Sequence, residues 1–403
     1  MKNLSAKLAL LKRNSGQAAP SRQGSTDISE RDRRLREVLH GELEPTAQGD
    51  LFVVRRRHPI AEPYGRSNLR CCLEMPIAPL AALYDGLAGF EMKRTLFFDT
   101  ETTGLAGGSG TYAFLVGLGY YHGDDFVTEQ LLMRDHSDEP ALLNYLSHLL
   151  QNKTSLVSFN GRSFDAQLLA TRYGMHRLAE PFGGCAHLDL LHICRRLWGL
   201  SRLPDCRLET LETRVLGAPR HQDVPGWLIP TLFFDFLRDK NPVPLKGVLE
   251  HNRRDLLAMV ALCSHLRHVF VAQQVEDPHL ALGLARVWAA LDQPEKSDHF
   301  FEAALKDRGL GEEVREKGLI YWSRELKRRG LLGKAAMLWR RVLIHYPNNL
   351  EATVELAKWL EHKQRDYRSA LILVEGGLRD RTLTSRRRTE LEHRASRLRR
   401  RLG

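Results

Sequence analysis

The chain has 403 residues, 43% hydrophobic and 27% charged, with a formal net charge of +11. That length allows two or more domains with cores of their own. No apolar stretch approaches the ~20 residues of a membrane span, and the basic excess suits a polyanion such as nucleic acid. Lys2, Lys7 and Lys12 interrupt the leucines of the first residues, so no export signal is expected and a cytoplasmic location follows. Six cysteines in such a chain argue against a disulfide framework.

In chain order, residues 1–48 read as a flexible basic tail with one short helix from Glu30 to Leu39. Residues 49–93 read as a lead-in segment with a strand over Leu51 to Val54. The core is expected at 94–272. Thr95 to Thr100 predicts a strand buried on both faces. Tyr112 to Tyr121 and Phe126 to Met133 predict two more, joined by the hairpin-type turn His122-Gly-Asp-Asp125. Pro140 opens a helix over Ala141 to Leu150, and Leu156 to Phe159 is a short buried strand. Ser163 is placed to cap a helix from Phe164 to Tyr173 that Gly174 ends. Helices follow at Leu188 to Trp198, Leu208 to Leu216 and Leu245 to Phe270. Three antiparallel strands followed by α/β units describe a mixed sheet with flanking helices.

From about 278 the pattern is helical only. Trp288 and Trp322 stand 34 residues apart, as do Ala336 and Ala370, and Trp339 and Leu373. That period suggests tetratricopeptide repeats over 278–380, which would present a surface to a protein partner. The alternative is an irregular helical bundle. Residues 381–403, rich in arginine from Arg386 to Arg388 and Arg394 to Arg401, read as a basic helical tail.

The chemistry begins at Asp99 and Glu101. Residues two apart on a strand share a face, so these carboxylates stand side by side at the end of an apolar strand. Their repulsion would be relieved by a cation, and all-oxygen ligands favour Mg²⁺ or Mn²⁺. Asp165 follows the Leu156–Phe159 run, and Asp255 lies on the last long helix of the core. Cys185, His187, His192, Cys194 and Cys206 are residue types that bind zinc, but their spacing fits no common zinc pattern; small buried cysteines are the favoured reading.

Asp99-Thr-Glu101, Asn160-x-x-x-Phe164-Asp165 and His251-x-x-x-Asp255 resemble, in content and order, the three motifs of the DEDD superfamily of 3′–5′ exonucleases. The segments His187-Leu-Asp-Leu-Leu-His192, Leu208-Glu-Thr-Leu-Glu212, Asp223-Val-Pro-Gly226 and His251-Asn252 are similar to one bacterial branch, the YprB-like proteins, which join a ribonuclease-H-like exonuclease domain to tetratricopeptide repeats. The resemblance covers roughly residues 90–270. It implies a ribonuclease-H-like α/β fold and metal-dependent hydrolysis of DNA or RNA from the 3′ end. Asp99, Glu101, Asp165 and Asp255 would hold two Mg²⁺ or Mn²⁺ ions, and His251 would take or position the proton of the attacking water. Asn160, Phe164 and Thr102 would hold the terminal nucleotide. One departure stands out: the superfamily places Tyr four residues, or His five residues, before its last Asp, whereas His251 lies four before Asp255. On a helix that spacing shares a face. Arg220 to Pro230 also resembles a family segment, with no role assigned to it. Alternatives are a structure-selective endonuclease, a nucleic-acid-binding repeat scaffold, and a nucleotide-hydrolysing phosphatase on the same site.

Overall fold

A computed structural model describes residues 29–104, 110–201, 203–307, 309–380 and 382–403. Most of the expected tail therefore lies outside the described residues. Helix α1 (Glu30–Leu39) matches its expected span, and the Ser29 hydroxyl accepts the Asp32 N–H at its start. Strands β1 (Glu42–Thr46) and β2 (Gly49–Pro59) pair antiparallel and belong to the main sheet. This corrects the expectation that residues up to 48 are tail and that the next segment only leads in. Glu42-Leu-Glu-Pro-Thr46 hides its strand because it is an edge, where charge and proline are tolerated.

Strands β3 (Pro63–Tyr64) and β4 (Ser67–Asn68) form a small separate hairpin, followed by helix α2 (Ile77–Leu83). Strands β5 (Thr95–Thr102), β6 (Ala113–His122) and β7 (Asp125–Leu132) fulfil the expected meander, with Gly123 at φ 61° in its last turn. Helix α3 (Glu139–Leu150), strand β8 (Ser155–Ser158), helix α4 (Asp165–Met175), strand β9 (Ala186–Asp189) and helix α5 (Leu190–Trp198) complete two parallel crossovers. Ser163 does not cap α4: Phe164 holds the cap position without a side-chain bond, and the Gly161 carbonyl accepts the Ala166 N–H at 2.8 Å instead. Gly174 lies within α4 rather than ending it, and the first residues of the expected 188–198 helix belong to β9. Helix α6 (Leu208–Leu211) runs into a wide turn over Glu212–Leu216, then come α7 (Ile229–Asp239), which the sequence reading missed, and the long α8 (Leu245–Val271).

The main sheet has the order β1-β2-β7-β6-β5-β8-β9, antiparallel as far as β5 and parallel from there. Strand β5 is central, and its alternation sets the two cores. Leu96 and Phe98 pack with α3, α4 and α7; Phe97 packs with α5 and the second half of α8. Asp99 and Glu101 continue the Phe97 face, towards α8.

An all-helical region follows: α9 (Pro278–Ala290), α10 (Pro294–Lys306), α11 (Glu312–Arg328), α12 (Leu332–His345), α13 (Leu350–Trp359), α14 (Tyr367–Leu378) and α15 (Ser385–Leu402). Helix α9 lies on α5 so closely that a side chain at Gly283 would overlap the Leu197 carbonyl. One continuous apolar core thus runs from Phe97 through α8 and α5 into the helical region. The arginine-rich end is a packed helix rather than a tail. Leu391, Ala395 and Leu398 are buried, and Arg394 and Arg397 pair with buried Glu361. Among the described residues no helix is long and apolar enough to cross a membrane.

Candidate active site

The site is assembled where the end of β5 meets α8, α4 and the loop from the wide turn to α7. Asp99 lies opposite Gly117 of β6, and the ladder slips by a bulge between Glu101 and Thr102. Gly117 is glycine for a steric reason: any Cβ there would overlap the Asn252 amide. Asn252, wholly buried on α8, uses that space to donate from Nδ2 to Asp99 Oδ2 at 2.9 Å. Its own Oδ1 accepts from Gln130 Nε2 at 2.9 Å, and the same Nε2 donates to the Leu249 carbonyl. This network fixes Asp99 against α8.

The acids come together electrostatically. Burial, then the charges of Asp255, Glu101 and Asp165, push the Asp99 carboxyl well above the usual range, against the Asn252 hydrogen bond. Burial, Asp255, Asp165 and Asp223 do the same to Glu101. Asp165, first residue of α4, is raised by burial, although the Thr100 hydroxyl donates to it. Thr100 points to the α4 side of β5 while its neighbours point to α8, so the strand end reaches both groups.

His251 stands one turn before Asp255, as its spacing requires. Nδ1 is 3.0 Å from both oxygens of Asp223. An ionised carboxylate only accepts, so Nδ1 carries the hydrogen. Nε2 then faces Asp255 Oδ2 at 3.6 Å and Glu101 Oε1 at 3.9 Å. The segment that sequence reading left without a role supplies both this acceptor and a buried cation. Arg220, its side chain 3% exposed, donates to Glu212, to Asp255, and to Asp223 at 3.0 Å. Burial disfavours its charge, but Asp255 and Glu212 more than offset this and raise its proton affinity. Burial alone would raise Asp223, yet hydrogen bonds and charge from Arg220 and His251 hold it below the usual range. The resemblances of Asp223-Val-Pro-Gly226 and of Arg220 to Pro230 were the signals for these residues; nothing local marks them.

The remaining expected contacts are placed differently. Asn160 sits at φ 65° in a loop held by Asp189, whose Oδ1 accepts the Asn160 N–H at 2.7 Å and whose Oδ2 accepts the Arg162 N–H at 3.2 Å. Asp189, also capping α5, was not anticipated as a positioning group. Phe164 is 62% exposed beside Asp165, so it is no core residue. Thr102 donates its hydroxyl to the Gly104 carbonyl at 2.9 Å and is spent on the turn. Of the zinc-type residues, His187 Nε2 lies 2.8 Å from the Ser158 hydroxyl, burial lowers its proton affinity to a pKa of about 4, and Cys194 is fully buried.

The donor set of Asp99, Glu101, Asp165 and Asp255 is all oxygen, half-buried and short of positive charge, which fits a hard divalent cation. Among the described residues, however, no three acidic, His or Cys side chains converge as a ready metal cage. Arg220 engages Asp255, and Thr100 engages Asp165.

A mixed sheet carrying acids at the end of its central strand, faced by a helix with a further acid, defines a nuclease-type domain of the ribonuclease-H-like class. Residues 96–267 match a family described as RNase_H superfamily. The chain belongs to the family of the Bacillus subtilis (strain 168) protein described as "Uncharacterized protein YprB", with which it is 32% identical over 326 residues, 77% of this chain and 76% of that one. Among solved structures it is similar to the family B DNA polymerase from the hyperthermophilic archaeon Pyrobaculum calidifontis, at 13% identity and a TM-score of 0.32, over 56% of this chain and 29% of that one.

Proposed function

We propose that this protein hydrolyses phosphodiester bonds of nucleic acid as a divalent-metal-dependent 3′–5′ exonuclease. The observation that carries this reading is the mutual charge crowding of Asp99, Glu101, Asp165 and Asp255, with His251 facing Glu101 and Asp255 and too little positive charge to balance them. Those four carboxylates would hold Mg²⁺ or Mn²⁺, two ions in the full form of the proposal, which when bound supply charge neutralisation for the scissile phosphate and a more acidic water. The chain's own part is positional. Asp223 fixes the His251 ring so that Nε2 is free to accept a proton or orient water. Asn252 and Gly117 hold Asp99, and Arg220 holds Asp255. Phe164, exposed beside Asp165, and Asn160, in the loop before it, would contact the terminal nucleotide. The turn around Thr102 would offer backbone rather than its hydroxyl.

For the helices beyond 278 we extend the proposal to tetratricopeptide-like repeats that engage a protein partner. In support, Trp288 and Trp322 occupy equivalent places in α9 and α11, and Ala336 and Ala370 are both fully buried in α12 and α14. The test of the catalytic proposal is digestion of 5′-labelled single-stranded DNA and RNA with Mn²⁺, against Asp99→Ala. A ladder shortening from the 3′ end, absent in the variant, is expected. Internal cuts lost in the variant would replace exonuclease by endonuclease, and intact binding without cleavage would favour the scaffold.

A further inference from the structure

Two aromatic side chains stand in water beside the acids. Phe164 is 62% exposed immediately before Asp165, and Trp227 is 72% exposed four residues after Asp223. Four residues of chain reach at most about 14 Å, so Trp227 lies close to the acceptor of His251. It sits in the short turn Gly226–Leu228 that opens α7, and α7 is anchored below by Ile229, Phe233 and Phe236 and touches β5, the strand of Asp99 and Glu101. The aromatic is thus held out on a firm base rather than on a loose loop.

The surroundings suit a polyanion with flat, apolar parts. Before Asp165, Arg162, Ser163 and Phe164 are exposed in succession; around Asp223, His221, Pro225 and Trp227 are exposed, and Arg254, paired with Glu250, reaches the His221 carbonyl at 3.4 Å. Each segment therefore offers a ring for a base, and Arg162 and Arg254 add positive charge nearby for a phosphate. A base inside a duplex has both faces covered by its neighbours, so only an unpaired base can lie on such a ring.

We propose that Trp227, together with Phe164, forms a stacking surface that makes single-stranded nucleic acid the substrate of this site. The inference rests on the nuclease reading for its address alone, because binding can be measured without cleavage. Of the six tryptophans, Trp198, Trp288 and Trp339 are buried, and Trp322 and Trp359 are partly covered. Quenching by a stacked base therefore reports mainly on Trp227.

The experiment titrates the full chain in EDTA with a single-stranded oligonucleotide of about 12 nucleotides, and with the same sequence as a blunt duplex. The single strand should quench the fluorescence and the duplex should not. Trp227→Ala should abolish the quench and weaken binding about tenfold, while Trp227→Tyr, which keeps a ring, should retain most of the affinity. Equal affinity of Trp227→Ala, or equal quenching by the duplex, would overturn the proposal. If single-strand binding depends on Trp227 but Mn²⁺ elicits no digestion, the platform stands and the hydrolase reading falls. If Trp227→Ala digests single strands with unchanged KM, the platform falls and the hydrolase reading stands.

Discussion

Replacing Arg220 by methionine removes a guanidinium that bridges Glu212, Asp223 and Asp255. The three acids are not equal. Asp223 and Asp255 keep 14% and 16% of their side-chain exposure and can regain water. Glu212 keeps only 2%, and its remaining side-chain donor is the Tyr64 hydroxyl. Stranding one buried charge by deleting its partner costs about 3–5 kcal/mol. That is a large share of the ~5–15 kcal/mol by which native domains are stable, so the variant should fold but unfold early in urea. Arg220→Met combined with Glu212→Gln removes the stranded charge while leaving an acceptor for Tyr64, and should recover most of the loss. The measurement is urea unfolding in EDTA at neutral pH for the wild type, both single variants and the double. A cost below about 1 kcal/mol for Arg220→Met, or a double variant no more stable than Arg220→Met alone, would refute the assignment of Glu212 as the costly buried charge.

Asp99→Asn should abolish cleavage yet stabilise the metal-free protein. The folded carboxyl has a raised proton affinity, so its ionisation is costless below the unfolded carboxyl range near ~4 and costs its full amount above the folded value. The variant's melting temperature in EDTA should therefore exceed the wild type's by ~2–4 °C near pH 8 and match it near pH 4, read by scanning fluorimetry. Gly117→Ala drives a methyl into the Asn252 amide and should cost about 1–3 kcal/mol in urea unfolding, with cleavage lost alongside. Asp223→Ala frees the His251 ring; turnover should fall ~10²-fold with KM little changed, and His251→Ala should add no further loss on top of it.

Much of the fold was legible because its signals are local. The Thr95–Phe98 run announces a strand without outside information, and the turn at Gly123 announces the β6–β7 hairpin beside it. Asp99 and Glu101 share a face because strands have period two, and His251 and Asp255 share one because helices return after four residues. The helix-only pattern from about 278 was enough to announce an all-helical end. Misreadings fell where local chemistry was ambiguous. Glu42–Thr46 is polar because it is an edge, and the arginines of α15 looked like a tail although Leu391, Ala395 and Leu398 bury its other face.

The sequence by itself determined which chemistry the chain could host: the acids, their spacing along one strand and one helix, and the order in which they arrive. Only the tertiary structure decided who balances them. Arg220 lies 35 residues from Asp255 in the chain, Asp223 lies 28 from His251, and Asn252 lies 153 from Asp99. No periodicity links positions so far apart, because their meeting depends on how α8 crosses the sheet and how the loop before α7 folds back. Charge compensation is a property of distance in space, and burial makes it decisive. A carboxylate and a guanidinium that would ignore each other in water must pair once solvent is excluded.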